Sequence, residues 1–180
     1  MNIKGLIFDL DGVIVHTDQY HYQAWKKLAD RLEIYFDEDI NNRLRGISRM
    51  ESLDILLENY HGNTFSLQDK EKLADEKNTY YRSLLENMMP DHVSDEVRST
   101  LAELRNRGLK LAIGSSSKNA KLILNKVELL SYFDAISDGT NITYSKPNPE
   151  VFIKAAQYLS LSTEECAVIE DANAGIDAAK

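Results

Sequence analysis

The feature that most limits how this chain can fold is a short apolar run that ends abruptly in charge, and then recurs. "IKGLIF" (Ile3–Phe8) leads straight into Asp9 and Asp11, with Gly12 behind them. "LKLAI" (Leu109–Ile113) leads into "GSSSKN", and "CAVI" (Cys166–Ile169) leads into Glu170 and Asp171. Each run has strand length and reads as a buried strand, and "FDAI" (Phe133–Ile136) is a weaker fourth. Helical patterns lie between the later runs. "DEVRSTLAELRNRG" puts Val97, Leu101 and Leu104 on one face and stops at Gly108. "SKNAKLILNKVELL" follows Ser117. "NPEVFIKAAQYL" opens with Asn148 as a cap and Pro149 at the first helical position. Strands alternating with helices predict a parallel, Rossmann-like sheet with helices on its faces, an α/β fold.

Residues 16–93 break the alternation, because they carry helical signals alone. "DQYHYQAWKKLADRL" spaces Trp25, Leu28, Ala29 and Leu32 helically. "SRMESLDILLENY" opens with a capping box, Ser48 with Glu51. "SLQDKEKLADEKNTYYRSLLENM" reads as a long helix capped by Ser66. The expectation is an all-helical domain, 16–93, inserted into a core made of 1–15 and 94–180. Connections near Val15–His16 and Asp91–Asp95 would frame a cleft that opens and closes. The chain reaches Lys180 inside a helix that begins near Asn173, so the core is expected to be incomplete at its C-terminal end.

In parallel α/β sheets, ligands bind outside the carboxyl ends of the strands. Here those ends deliver Asp9, Asp11, Glu170 and Asp171, the hydroxyls of Ser115 to Ser117, and Lys118 to one rim. Lys146 adds a cation from the loop "YSKPNPE". Four carboxylates in one place call for a cation, and hard oxygen ligands suit Mg²⁺. Hydroxyls, free backbone amides and a lysine suit a phosphate. A carboxylate can attack phosphorus to form an aspartyl-phosphate, and a second one two residues along can move the proton. Each feature alone has a plain reading: helix-start charges, capping serines, a surface lysine. Their joint occurrence at successive strand ends points to phosphoryl transfer.

Composition narrows the partners. A formal charge of -8 makes nucleic acid and anionic membranes poor partners, and leaves a phosphorylated substrate dependent on a local cationic pocket. The lone cysteine, Cys166, forms no internal disulfide, which fits a reducing, cytoplasmic setting. No apolar run approaches the roughly 20 residues that span a bilayer. A monomer is expected.

The words "DLDGVIVHTD", "GSSSKN", "SKPNPEVF" and "IEDANAGI" resemble, in order, the four motifs of the haloacid dehalogenase superfamily of phosphotransferases. The helical insert resembles that superfamily's cap. Within it, "TDQYHYQAW", "LRGISRMESL" and "EKN" resemble a branch that moves phosphoryl groups on glucose phosphates. The resemblance implies that Asp9 is the nucleophile and Asp11 the general acid/base. It implies Mg²⁺ held by Asp9, the Asp11 backbone carbonyl, Glu170 and Asp171. Ser115 and Lys146 would hold the transferring phosphoryl group. Arg49 would grip the distal phosphate, helped by Ser117, Lys118 and Asn119. His21, Gly46 and Ile47 would line the sugar site, with Thr17 and Lys77 supporting closure; Trp25 reads as cap core or cleft wall. The implied reaction interconverts β-glucose 1-phosphate and glucose 6-phosphate through β-glucose 1,6-bisphosphate. The alternatives are a Mg²⁺-dependent sugar-phosphate phosphatase and, for a truncated chain, a non-catalytic binding protein.

Overall fold

The structure, a computed structural model, describes residues 2–180. Four strands, β1 (Gly5–Phe8), β2 (Lys110–Gly114), β3 (Ala135–Ser137) and β4 (Cys166–Ile169), pair in parallel in the order β3-β2-β1-β4. Phe8 lies opposite both Ile113 and Ile169, and Gly114 lies opposite Ser137. The strand ends are therefore level, and the residues that follow them share one rim. The chain leaves β1 on one side for β2 and β3 and returns on the other for β4. That reversal opens a crevice at the end of β1, where Asp9 begins.

Side-chain alternation along the strands builds two apolar layers. Phe8, Leu111 and Ile113 pack on one face with Leu101 of α5 (Asp95–Asn106) and Ile123, Leu124 and Val127 from α6 (Ala120–Lys126) and its end. Ile7, Ala112 and Ala135 pack on the other with Val151, Phe152 and Ala155 of α7 (Glu150–Tyr158) and Ala178 of α8 (Asn173–Ala179).

Between β1 and β2 the chain forms α1 (Asp18–Arg31), α2 (Glu38–Asn42), α3 (Arg49–Leu57) and α4 (Leu67–Leu85). These helices close on a cluster of their own around Trp25, Leu28, Leu53, Leu56 and Leu73. The feet of α1 and α4 do more: Ala24, Tyr81 and Leu85 are buried in the first layer of the sheet.

The expected elements are present, with shifted ends. β1 starts at Gly5 rather than Ile3, β2 runs one residue later than expected, and β3 runs from Ala135 rather than Phe133. α7 begins at Glu150, so Pro149 is the capping residue rather than the first helical one. Asn148 still caps, its Oδ1 accepting from the Glu150 amide at 3.0 Å. The short α2, capped by Asp37, has too few residues to show a periodicity in sequence. No helix among the described residues is long and apolar enough to cross a membrane.

Candidate active site

The crevice is built around a buried lysine. Lys146 Nζ donates to Asp9 Oδ1 at 2.5 Å and to Glu170 Oε2 at 2.8 Å, and its stem is wholly enclosed. Burial opposes the ammonium, but Asp9 and Glu170 outweigh it and hold Lys146 above the usual lysine range. Burial pushes the Asp9 carboxyl up, and Lys146 pulls the other way. Burial and the Asp9 charge likewise raise Glu170. Asp171 joins them: Asp9, Glu170 and Asp171 each offer an oxygen within 4.8 Å of the others. One lysine among three carboxylates leaves a surplus of negative charge. An all-oxygen donor set of that charge fits a small divalent cation. Gly12 makes room for the Asp171 carboxylate. Its φ is +95°, and a Cβ there would meet Asp171 Oδ2 at 2.4 Å.

Asp11 has a different environment. Thr17, fully buried at the entry to α1, donates its hydroxyl to Asp11 Oδ1. Burial and the neighbouring Asp9 charge push the Asp11 carboxyl up to about 7, against the pull of Thr17. Two acids on one strand end are thus driven apart in role. One is paired with a lysine, and the other, up at about 7, is poised to give or take a proton near neutrality.

Beyond β2, Ser115 is buried and its amide donates to Ser137 O at 3.0 Å, pinning the loop to the rim. Ser115 Oγ accepts from the Ser117 amide, and Ser117 Oγ from the Asn119 amide, each at 3.1 Å. These small turns give residues 115–119 a fixed shape. Asn119 Nδ2 then reaches across to Asn78 Oδ1 of α4 at 2.9 Å.

The opposite wall comes from the helical insert. The capping box of Ser48 and Glu51 starts α3 and sets Arg49 at its first residue. Arg49 Nη1 lies 3.4 Å from Asp75 Oδ1 and faces the cleft. On α4, Lys77 Nζ sits 3.0 Å from His21 Nδ1, and 4.6 Å from the Trp25 ring. Burial, then Arg49, drives Lys77 down to about 7, against the pull of Asp11. Burial, Lys77 and Arg49 hold His21 well below the usual histidine range, so its ring is neutral.

The two walls enclose a cavity of about 570 Å³. It is lined by Asp9, Asp11, His21, Trp25, Gly46, Ile47, Arg49, Lys77, Ser115, Ser117, Lys118 and Asn119. Thr17, Lys146, Glu170 and Asp171 stand behind that surface and hold it. Every residue singled out in the sequence therefore converges on one place. Trp25 is both cleft wall and buried core. Among the lining residues that the sequence does not mark, Tyr81 and Arg45 matter most. Tyr81 stacks on His21 at 4.1 Å, and its buried hydroxyl has no hydrogen-bond partner among the described residues. In the sequence it is one tyrosine of nine, with nothing local to set it apart. Arg45 carries no mark in the sequence beyond its place beside Gly46.

Known proteins resemble this chain over nearly its whole length. The family description "haloacid dehalogenase-like hydrolase" matches residues 3–180. A β-phosphoglucomutase of Bacillus subtilis is 41% identical over 99% of this chain and 79% of its own. A fructose-1-phosphate phosphatase of Escherichia coli is 31% identical over 98% of this chain and 90% of its own. The crystal structure of a β-phosphoglucomutase from Clostridium difficile superposes with a TM-score of 0.93 at 42% identity, covering 98% of this chain and 80% of that one.

Proposed function

The chain belongs to the haloacid dehalogenase-like hydrolase family, and on that footing we propose that it is a mutase acting on a small-molecule sugar phosphate, β-glucose 1-phosphate, to give glucose 6-phosphate. Residues 16–93 act as the cap and residues 1–15 with 94–180 as the core, in a monomer working in the cytoplasm. The observation that carries the reading is the second cationic wall. Arg49 and Lys77 face Asp9 and Asp11 across one cavity, with Lys118 on the near side. A substrate with one phosphate needs a single cationic end. A bisphosphate intermediate that must be held at either end needs two.

The steps follow from the side chains. Asp9 attacks phosphorus; the bond to the sugar oxygen breaks as Asp11 gives that oxygen its proton. Lys146 and Ser115 hold the phosphoryl oxygens while the charge shifts. The free 6-hydroxyl of an incoming β-glucose 1-phosphate then attacks the aspartyl-phosphate, its proton passing to Asp11, and the bond to Asp9 breaks to leave the bisphosphate; turned end for end, this gives its other phosphoryl group back to Asp9 and leaves as glucose 6-phosphate. Arg49 grips whichever phosphate is distal, its planar fork suited to two oxygens, with Ser117, Lys118 and Asn119 opposite. With Lys77 protonated, His21 Nδ1 accepts from it and Nε2–H is left to donate to a sugar hydroxyl. Gly46 and Ile47 line the sugar between them, and Trp25 forms the wall behind. Asp9, Glu170, Asp171 and the Asp11 backbone carbonyl would hold Mg²⁺, which when bound neutralises charge on the transferring phosphoryl group.

The phosphatase reading, in which water accepts the phosphoryl group, is favoured by the similarity to the Escherichia coli phosphatase. Incubation with β-glucose 1-phosphate, Mg²⁺ and a trace of bisphosphate separates the two. Glucose 6-phosphate as the main product supports the mutase; inorganic phosphate as the main product rejects it.

A further inference from the structure

Among the described residues, Arg45 is the one cationic side chain of the helical insert that pairs with a carboxylate of the core. The segment between α2 and α3 turns at Gly46, whose φ of +77° and bare Cα let the backbone settle on the loop after β4. A Cβ there would come within 3.1 Å of the Ala172 Cβ. On its other side, Ser116 Oγ donates to Gly46 O at 3.1 Å. The turn thus stands with one foot on each loop of the site. Arg45, next to it, is aimed at the acids: Nη2 lies 2.8 Å from Asp171 Oδ2 and 3.3 Å from Asp18 Oδ2. Asp18 opens α1, so one guanidinium joins the insert to the core beside the nucleophile's acidic cluster.

We propose that Arg45 is a positioning residue, a latch that binds Asp171 when the cap is shut and so makes cap closure sense the charge of the metal site. The inference rests on the mutase reading for its consequence, the exclusion of water. The contact itself does not depend on which acceptor takes the phosphoryl group. Its geometry accounts for two properties. Arg45 is 38% and Asp171 32% exposed, so the pair is weak enough to break and re-form each cycle. Arg45 also takes one carboxylate oxygen of Asp171 and sets a fixed positive charge beside the cation site. The latch and the cation therefore oppose each other electrostatically until a phosphoryl group restores negative charge. Arg43, on the same segment, pairs instead with Glu58 at the surface and serves as the comparison.

The test uses the full chain with Arg45→Ala, Arg45→Lys and Arg43→Ala. Mg²⁺ affinity is measured by calorimetry without substrate, amide hydrogen exchange over residues 44–48 is followed, and phosphoenzyme discharge is divided between sugar and water. Arg45→Ala is expected to tighten Mg²⁺ binding about three- to tenfold, speed exchange across the turn and raise the share lost to water. Arg45→Lys should keep Mg²⁺ affinity near that of the parent, and Arg43→Ala should change none of the three. Loss of a merely structural contact would not tighten a metal. Mg²⁺ affinity that stays the same or falls in Arg45→Ala therefore overturns the latch. If the parent itself discharges to water alone, the mutase reading fails, and the Mg²⁺ and exchange measurements still decide the role of Arg45.

Discussion

Asp9 and Asp11 are separated by one residue, yet different neighbours, one distant in the chain and one near, set their behaviour. Asp9 meets Lys146 across 137 positions, while Asp11 meets Thr17 six positions on. Asp9→Asn keeps the shape but removes the attacking oxygen's charge. Phosphoenzyme trapped in acid should vanish, with the fold unchanged by circular dichroism. Arg49→Ala should leave phosphorylation by a small acyl phosphate within a few-fold of the parent, while mutase turnover falls by about 10² or more, the loss of a buried charged contact to phosphate. Equal losses would remove Arg49 from the distal site. Lys77 carries a pH signature. It is faced by His21 and Trp25 from α1, Arg49 from α3, Tyr81 one turn along its own helix, and Asp11 across the cleft. Its folded value, about 7, lies below the ordinary 10.5. The unfolded chain therefore binds more protons between those values, and stability should rise with pH across that window. Below about 7 both states are charged and the burial cost is fully present. Thermal unfolding of substrate-free protein should show this rise, and Lys77→Met should flatten it. The types and positions of these groups were legible in the sequence. Their protonation was not, because it depends on burial and on partners that only folding brings near.

At the scale of elements, the loop and helix start spanning residues 44–49 does most to join the two halves. Ser48 caps α3 and so fixes where Arg49 begins; Ser48→Ala should cost about 1 kcal/mol in denaturant unfolding and raise the KM for sugar phosphate. Gly46→Ala faces both a left-handed φ and the Ala172 side chain. It should impair transfer to sugar more than formation of the phosphoenzyme, because Asp9 and Lys146 lie outside the turn. The capping box, the long α4 and the amphipathic α1 were readable because each repeats a local pattern over several turns. α2 and the start of α7 were not, since a single turn has no period and Pro149 suits either side of a helix boundary. Arg45 was missed for a related reason: no local pattern separates an arginine that crosses to another element from one that faces water.

For the molecule as a whole, the parallel sheet sets a single rim, and the insert supplies a second wall above it. The chain is acidic overall, yet Arg45, Arg49, Lys77, Lys118 and Lys146 gather at this one cleft. Local charge thus opposes the net charge of -8 at the cleft proposed to take a phosphate. The alternation of strand and helix carries the parallel sheet but not its strand order. The placement of β4 beside β1, which brings Glu170 to Asp9, is a fact of three-dimensional pairing. The claim that unites these scales is that a closed cleft with two cationic ends hands the phosphoryl group on Asp9 to a sugar. Phosphoenzyme charged with labelled phosphoryl group, freed of donor and mixed with β-glucose 1-phosphate and Mg²⁺ in a rapid-quench device, tests it most directly. The account predicts that the label appears in β-glucose 1,6-bisphosphate faster than in inorganic phosphate; label released to water at the same rate with and without sugar would contradict it.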